Sequence, residues 1–142
     1  MRFWDTSAIV PCLVHEGTTA RLESFIGDDP AIVAWWATLV ECASAIRRRE
    51  REGILEPDAA RDARAVLAAW NPGWDEIQPA ADVRDSAIRL VSVHALRATD
   101  ALQLAAALKA SGGRPSSLPF VCLDRRLADA AAREGLEVIP FA

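Results

Sequence analysis

The sequence predicts an α/β protein with a mainly parallel central sheet. Short apolar segments recur along the chain, and longer segments with apolar residues at helical spacing separate them. Strands that alternate with helices pair in parallel and lie buried between helical layers. The chain has 142 residues, which is the size of one domain, and we expect a single domain over residues 1–142.

Strands are expected where apolar residues follow one another beside turn or capping residues. The first is the segment RFWD near the start of the chain, and the others are equally short. The predicted strands occupy residues 2–5, 31–34, 76–78, 120–123 and 138–139.

Helices are expected where apolar residues recur at helical spacing between start and stop signals. Pro57 suits a first helical position, whereas Gly53 and Gly135 suit positions just after a helix ends. Pro11 is expected to bend or interrupt the first helix. The segments 27–30 and 112–119 have the composition of a turn and a loop. The predicted helices occupy residues 6–14, 18–26, 36–52, 57–70, 79–95, 100–111 and 125–134.

Composition and charge are those of an ordinary globular protein, with 51% hydrophobic and 25% charged residues. The apolar runs fall short of the ~18 residues that a membrane span needs, and the opening MRFWDTSAIV lacks a signal-peptide layout. We therefore expect a cytoplasmic protein without a membrane partner. The net charge of −4 weighs weakly against nucleic acid as a partner. However, 15 of the 16 basic residues are arginine, the better bidentate ligand for phosphate.

Cysteine and histidine do not form a recognisable metal motif. His15 is followed at the required distance by Thr19, where a zinc-protease helix needs a second histidine. His94 lies near the end of a predicted helix, where a structural role is expected. The cysteines lie in apolar segments, which predicts buried, reduced thiols: Cys12, Cys42 and Cys122.

Two aspartates stand at the ends of predicted strands. Asp5 ends the first apolar segment, and Asp124 follows the segment FVCL. Because parallel strands share one carboxyl edge, where ligands bind in such sheets, both side chains are expected at that edge. Each residue also precedes a predicted helix, so a purely structural role as an N-cap is the alternative.

Asp100 stands within LRATDALQLA, at the head of an apolar helix-forming segment. The pattern predicts that Asp100 is the N-cap of this helix and that Gln103 completes a capping box. Taken alone, that structural role explains the residue. The presence of other acids at the expected sheet edge favours a place for Asp100 in a common site with them.

Glu41 lies in the middle of the predicted helix 36–52, where capping does not explain it. Residues three and four positions away are small, so this face allows close approach: Ala37, Thr38, Ser44 and Ala45. Helical spacing predicts an adjoining apolar face: Trp36, Leu39, Val40, Ala43 and Ile46. The alternative for Glu41 is an ordinary exposed position on the helix.

Several carboxylates in one place repel each other, by about 4 kcal/mol per pair at ~4 Å and an effective dielectric near 20. Such a cluster binds a divalent cation or retains protons. Oxygen ligands without histidine or cysteine suit Mg²⁺ or Mn²⁺ rather than zinc. A bound cation also reverses the local sign of charge, which answers the objection from net acidity.

The chain resembles the PIN-domain ribonucleases, most closely the VapC-type toxins of toxin–antitoxin pairs. Four segments carry the resemblance, in matching order and spacing: FWDTSAIV, TLVECASAIRRREREG, LRATDALQLAAAL and FVCLDRRLADAAAREGLEVI. The resemblance implies a three-layer α/β/α sandwich and a metal-dependent endoribonuclease that hydrolyses RNA with Mg²⁺ or Mn²⁺. It places the catalytic, metal-binding carboxylates at Asp5, Glu41, Asp100 and Asp124.

The resemblance also implies partners and supporting residues. A small cognate antitoxin, a homodimer and an RNA substrate are expected, with a polar contact from Thr6 or Ser7 beside the metal. An apolar antitoxin segment is expected in a groove between the first and third helices, formed by Ile9, Leu13, Val14, Trp35 and Trp36. Candidate RNA contacts are Arg47, Arg48, Arg49, Arg51, Arg97 and Arg125, although a solvated helix end equally explains the first four.

Two other functions stay open at this point. An aspartate-based phosphotransferase also sets acids at strand ends, but it needs an acid two residues after its nucleophile, and Ser7 stands there. Lys109, the one lysine, lies deep in a predicted helix. A PIN fold that only binds its partner is the second alternative.

Overall fold

The structure is a computed structural model that describes residues 1–15 and 19–140. Its strands form one sheet, with the order β3-β2-β1-β4-β5 and every neighbouring pair parallel. The strands are β1 (Arg2–Trp4), β2 (Ile32–Trp35), β3 (Asp75–Ile77), β4 (Pro119–Val121) and β5 (Glu137–Ile139). The predicted parallel sheet is confirmed.

Helices connect the strands, largely where the sequence predicts them. In the described residues they are α1 (Thr6–Leu13), α2 (Thr19–Asp28), α3 (Thr38–Arg51), α4 (Pro57–Trp70), α5 (Ala81–Val93), α6 (Ala98–Ala110) and α7 (Arg125–Arg133). Helix α4 has the predicted bounds, and α1 continues through Pro11. Helix α2 runs into the predicted turn as far as Asp28, and its predicted start at Thr18 lies outside the described residues.

The sheet lies between two helical layers, because successive side chains of a strand point to opposite faces. Phe3 packs with α5, α6 and α7 and stacks on Phe120, with ring centroids 5.7 Å apart. Its neighbour Trp4 packs on the other face with α1, α2, α3 and α4. Complete burial of a side chain of this size contributes roughly 1.5–3 kcal/mol. The three-layer α/β/α sandwich is thereby confirmed.

The predicted apolar face of α3 is partly wrong. The buried positions of the helix are Thr38, Cys42, Ala45 and Ile46, whereas Trp36 and Val40 are 48% and 64% exposed. The backbone N–H of Trp36 donates to the carbonyl of Ile77 in β3, so the extended chain continues past β2. The helix consequently begins at Thr38, and small residues turn toward the sheet.

The predicted apolar groove between α1 and α3 is also wrong. Four of its five proposed members, Ile9, Leu13, Val14 and Trp35, are at most 7% exposed and belong to the hydrophobic core, whereas the fifth, Trp36, is exposed. The four buried side chains are already covered by this chain's own helices. An incoming apolar segment therefore finds no open surface on them.

The predictions for the cysteines and for His94 agree with the structure, except that Cys12 is incompletely buried. All three cysteines are free thiols, with Cys42 and Cys122 buried and Cys12 half-buried. His94 has a structural contact, with Nε2 2.8 Å from Oε1 of Glu134. Among the residues described, no helix is long and apolar enough to span a membrane.

Candidate active site

All four predicted acids line one cavity of about 570 Å³ at the carboxyl edge of the sheet. Asp5 follows β1, Asp124 follows β4, and both therefore stand at neighbouring strand ends. Glu41 and Asp100 come from the first turns of α3 and α6, so the expected mid-helix position of Glu41 is wrong, because α3 begins only at Thr38. The parallel topology thus brings together acids that are up to 119 positions apart in the chain, from Asp5 to Asp124.

Asp5 is both the N-cap of α1 and a wall of the cavity. Its Oδ2 accepts hydrogen bonds from the backbone N–H of Ser7 at 3.0 Å and from Ser7 Oγ at 2.6 Å. Ser7 Oγ in turn accepts from the backbone N–H groups of Leu123 and Asp124, at 2.9 and 3.2 Å. Ser7 consequently joins the start of α1 to the end of β4 and holds two of the acids in register.

Glu41 is held by uncharged donors from two other helices. Its Oε2 accepts from Thr6 Oγ at 2.6 Å and from Gln103 Nε2 at 2.6 Å. The sequence did not identify this role of Gln103, because the pattern around Asp100 suggested a local capping box. One signal was available: an amide in the middle of a run of alanine and leucine is unusual on a buried helix face.

Asp100 is not the N-cap that the sequence predicts. Helix α6 begins at Ala98, with Arg97 in the cap position, so Asp100 lies in the first turn. A negative charge there is favoured by the helix dipole much as it is at the cap, which explains the misplacement. Asp100 Oδ2 lies 3.5 Å from Nε of the exposed Arg97. Asp124 does cap α7, because its Oδ1 accepts from the backbone N–H of Leu127.

Burial and mutual repulsion govern the electrostatics of the cavity. Burial raises the pKa of Asp5 to about 6, and the negative charges of Glu41 and Asp100 add to the rise. Burial likewise raises the pKa of Glu41, against the hydrogen bonds from Thr6 and Gln103. The pKa of Asp100 is raised mainly by burial, with Arg97 opposing and Asp124 reinforcing the shift. Keeping these acids charged therefore costs folding free energy, and a bound cation would lower that cost.

Some of the predicted arginines also reach the cavity. Its lining includes Arg48, Arg49 and Arg97. Arg47 lies 3.4 Å from Glu50 on the same helix, and Arg51 and Arg125 are not among the described residues that line the cavity. The cavity therefore has an acidic floor at the sheet edge and basic groups from the ends of two helices.

The donor chemistry fits a hard divalent cation. The cavity offers carboxylate and hydroxyl oxygens, which are the ligands of Mg²⁺ and Mn²⁺. In residues 1–15 and 19–140, no three His, Cys, Asp or Glu side chains stand close enough to form a compact ligand group. The acids thus share a cavity without converging on a single point. Burial is the main cause of the raised pKa values of Asp5, Glu41 and Asp100, and a cation beside them would favour their charged forms, so the residues fit the cation.

Solved structures share the fold over nearly the whole chain. FitAcB from Neisseria gonorrhoeae has a TM-score of 0.73 and 15% identity, over 99% of this chain and 97% of that one. VapC20 of Mycobacterium tuberculosis, a toxin that cleaves the sarcin–ricin loop, has a TM-score of 0.69 and 19% identity, over 99% and 100%. A toxin–antitoxin complex from Klebsiella pneumoniae has a TM-score of 0.66 and 13% identity, over 99% and 97%. The sandwich is therefore a PIN fold.

Sequence comparison gives the family. Ribonucleases VapC45 and VapC49, from two strains of Mycobacterium tuberculosis, are each 32% identical over 142 residues, covering 97% of this chain and 94% of the relative. No family model matches the chain. The chain belongs to the VapC ribonucleases, which are endonucleases of the hydrolase class.

Proposed function

We propose that this ribonuclease hydrolyses RNA with a divalent cation, Mg²⁺ or Mn²⁺, held by Asp5, Glu41, Asp100 and Asp124. One observation carries the proposal: the four carboxylates line a single cavity at the carboxyl edge of a parallel sheet. Burial disfavours the charged forms of Asp5, Glu41 and Asp100 by raising their pKa values, which supports a cation as their partner. The endoribonuclease class itself follows from family membership.

The proposed chemistry divides between the cation and the chain. When bound, a divalent cation polarises a phosphodiester and lowers the pKa of water, so that hydroxide is available for in-line attack. Asp5, Glu41, Asp100 and Asp124 would hold the cation through their carboxylate oxygens. Arg48 and Arg97, which line the same cavity, bind RNA phosphates by charge-assisted hydrogen bonds and orient the substrate.

The test is RNA cleavage by the purified protein with Mg²⁺ or Mn²⁺ and with a chelator. Asp100→Asn is expected to reduce the cleavage rate at least ~100-fold, because removal of a metal ligand removes several kcal/mol of transition-state stabilisation. Asp85→Asn is the matched control, since Asp85 is 72% exposed on α5. Cleavage by Asp100→Asn at the wild-type rate, or full activity in chelator, contradicts the proposal.

Residues 1–142 are proposed to act as one PIN domain. An antitoxin is the proposed protein partner of this domain. A toxin–antitoxin complex among the structural neighbours supports this partner. We expect a homodimer in the complex, so that the assembly carries two nuclease sites. Co-purification with the product of the adjacent gene, followed by light scattering, tests both expectations. A monomer that retains no neighbour and is harmless when expressed alone contradicts them.

The alternatives are less well supported. A phosphotransferase needs a lysine beside its acids, but Nζ of Lys109 lies 3.0 Å from Asp82 Oδ1 and pairs with that exposed carboxylate. A PIN fold that only binds its partner predicts no cleavage under any metal condition. The cleavage assay therefore separates that alternative from the proposed ribonuclease.

A further inference from the structure

Gln103 is an amide buried in the middle of α6. Its side chain is 1% exposed, and the adjoining positions of the helix are alanine and leucine. An apolar side chain of the same length fills such a space without burying a polar group. The presence of an amide here points to a role in its contacts rather than in packing.

The contacts of Gln103 converge on one side of the amide. Its Nε2 lies 2.6 Å from Glu41 Oε2, 2.9 Å from Thr38 Oγ and 3.0 Å from Thr6 Oγ. Thr6 Oγ itself donates to the same oxygen of Glu41 at 2.6 Å. One carboxylate oxygen of Glu41 is therefore held by two donors, from α1 and α6, and the other oxygen takes part in neither contact.

The orientation of the amide supports this assignment. Gln103 Oε1 is buried and has no hydrogen-bond partner within the described part of the chain. If the amide were reversed, its carbonyl oxygen would face the carboxylate of Glu41 across a hydrogen-bond distance and repel it. The two hydrogens of the amide can serve Glu41 and one threonine hydroxyl. In this orientation Gln103 Nε2 donates to Glu41, while Gln103 Oε1 has no hydrogen bond from the described residues.

We propose that Gln103 is a positioning residue, which holds one oxygen of Glu41 so that the other is presented to the divalent cation. This inference rests on the proposed function, in which Glu41 is a ligand. Groups that orient a metal ligand by hydrogen bonding typically change metal affinity 10–100-fold when they are removed. Gln103 acts through Glu41 and makes no direct contact with the cation.

The experiment measures Mn²⁺ binding to the metal-free full chain by calorimetry, without RNA. Gln103→Met keeps the length and burial of the side chain but removes the donor, and Mn²⁺ affinity is expected to fall 10–100-fold. Gln103→Glu keeps the shape and replaces the donating nitrogen by oxygen, and a larger loss is expected. At saturating Mn²⁺, RNA cleavage by Gln103→Met is expected to recover toward the wild-type rate.

Leu104→Val is the matched control for packing, because Leu104 is the next residue of α6 and is fully buried on the sheet. It is expected to lower Tm while leaving Mn²⁺ affinity unchanged. Folded Gln103→Met and Gln103→Glu proteins that bind Mn²⁺ as tightly as wild type overturn the inference alone. A wild-type protein that binds no Mn²⁺ overturns the proposed function, and this inference with it.

Discussion

Glu134 and Asp5 are both poorly exposed acids, but the chain treats them in opposite ways. Arg89 donates two hydrogen bonds of 3.1 Å to Glu134, and His94 lies 2.8 Å from the same carboxylate. The Arg89 hydrogen bond is the main cause of a lowered pKa at Glu134. The donors to Asp5 among the described residues are uncharged groups of Ser7 and Cys122, and burial raises the pKa of Asp5 to about 6.

The difference separates an acid that stabilises the fold from acids that are proposed to form a site. At the junction of α5 and α7, the chain supplies its own cation to a carboxylate. At the carboxyl edge of the sheet, it gathers four carboxylates, and among the described residues Arg97 forms an exposed ion pair with one of them, Asp100. The same conservative change, from acid to amide, should therefore have opposite effects on stability in the two places.

Asp5→Asn is expected to stabilise the metal-free protein most. A pKa raised from 3.8 to about 6 corresponds to about 3 kcal/mol of lost stability when the carboxyl ionises. Asparagine caps a helix as well as aspartate does, so the N-cap of α1 is retained. Urea unfolding at pH 7.5 in chelator measures the gain. Asp85→Asn is the control and should leave stability unchanged, and an Asp5→Asn protein no more stable than wild type refutes the expectation.

The pH dependence of that gain gives an independent check of its sign. Between about pH 4 and pH 6, native Asp5 binds more protons than the unfolded chain does, so rising pH lowers the free energy of unfolding. The advantage of Asp5→Asn should therefore be full above about pH 6 and vanish near pH 4. Unfolding series at several pH values test this, and a gain that is constant with pH would assign it to some other cause.

Divalent cation should cancel most of this difference in stability between wild type and Asp5→Asn. Ligand at 100 times its Kd stabilises a folded protein by about 2.7 kcal/mol, so Mn²⁺ at that level should raise wild-type stability by this amount. Asp5→Asn should gain much less, because a proposed ligand is missing. Thermal unfolding with and without Mn²⁺ measures both. Equal stabilisation of the two proteins would place the cation elsewhere.

Glu134→Gln should have the opposite effect from Asp5→Asn, because it removes a charge that has a partner. Hydrogen bonds to charged groups contribute about 1.5–3 kcal/mol, and the half-exposed Arg89 reduces this to a loss of about 1–2 kcal/mol. RNA cleavage should be unchanged, since Glu134 lies outside the cavity. Urea unfolding at pH 7.5 measures the loss. A Glu134→Gln protein as stable as wild type would contradict the expected difference between Glu134 and Asp5.

Arg97→Ala should have the smallest effect on stability. Arg97 is 78% exposed, and surface ion pairs contribute roughly 0–1 kcal/mol. Loss of its positive charge should raise the pKa of Asp100 further, since Arg97 is the main group opposing that shift. NMR titration of the Asp100 carboxyl group measures the change. An Asp100 pKa that falls in Arg97→Ala would contradict this account of the pair.

The sequence predicts the fold well because the relevant signals are local. Apolar segments locate the strands, and Pro57 and Gly135 mark helix ends where the structure has them. The start of α6 is less well predicted. Local preference does not distinguish an aspartate at the cap from one in the first turn, which is why the cap is predicted at Asp100, three positions after the actual cap residue Arg97.

The sequence predicts the acids of the candidate site but not the side chains that hold those acids by hydrogen bonds. Strand ends place Asp5 and Asp124 at one edge from topology alone. The contact between Gln103 and Glu41 joins residues 62 positions apart on different helices, and no local pattern encodes it. The face that α3 buries likewise depends on where β2 gives way to the helix, as the hydrogen bond from Trp36 to Ile77 shows.

The double duty of Asp5 and Asp124 has an evolutionary consequence. Each carboxylate caps a helix as well as lining the cavity, so alanine at either position would damage the helix start along with the site. Asparagine keeps the cap and removes the charge, and a single transition in an aspartate codon produces it. A lineage that abandons nuclease activity while keeping the fold should therefore accumulate asparagine at these two positions, leaving an inactive but more stable descendant.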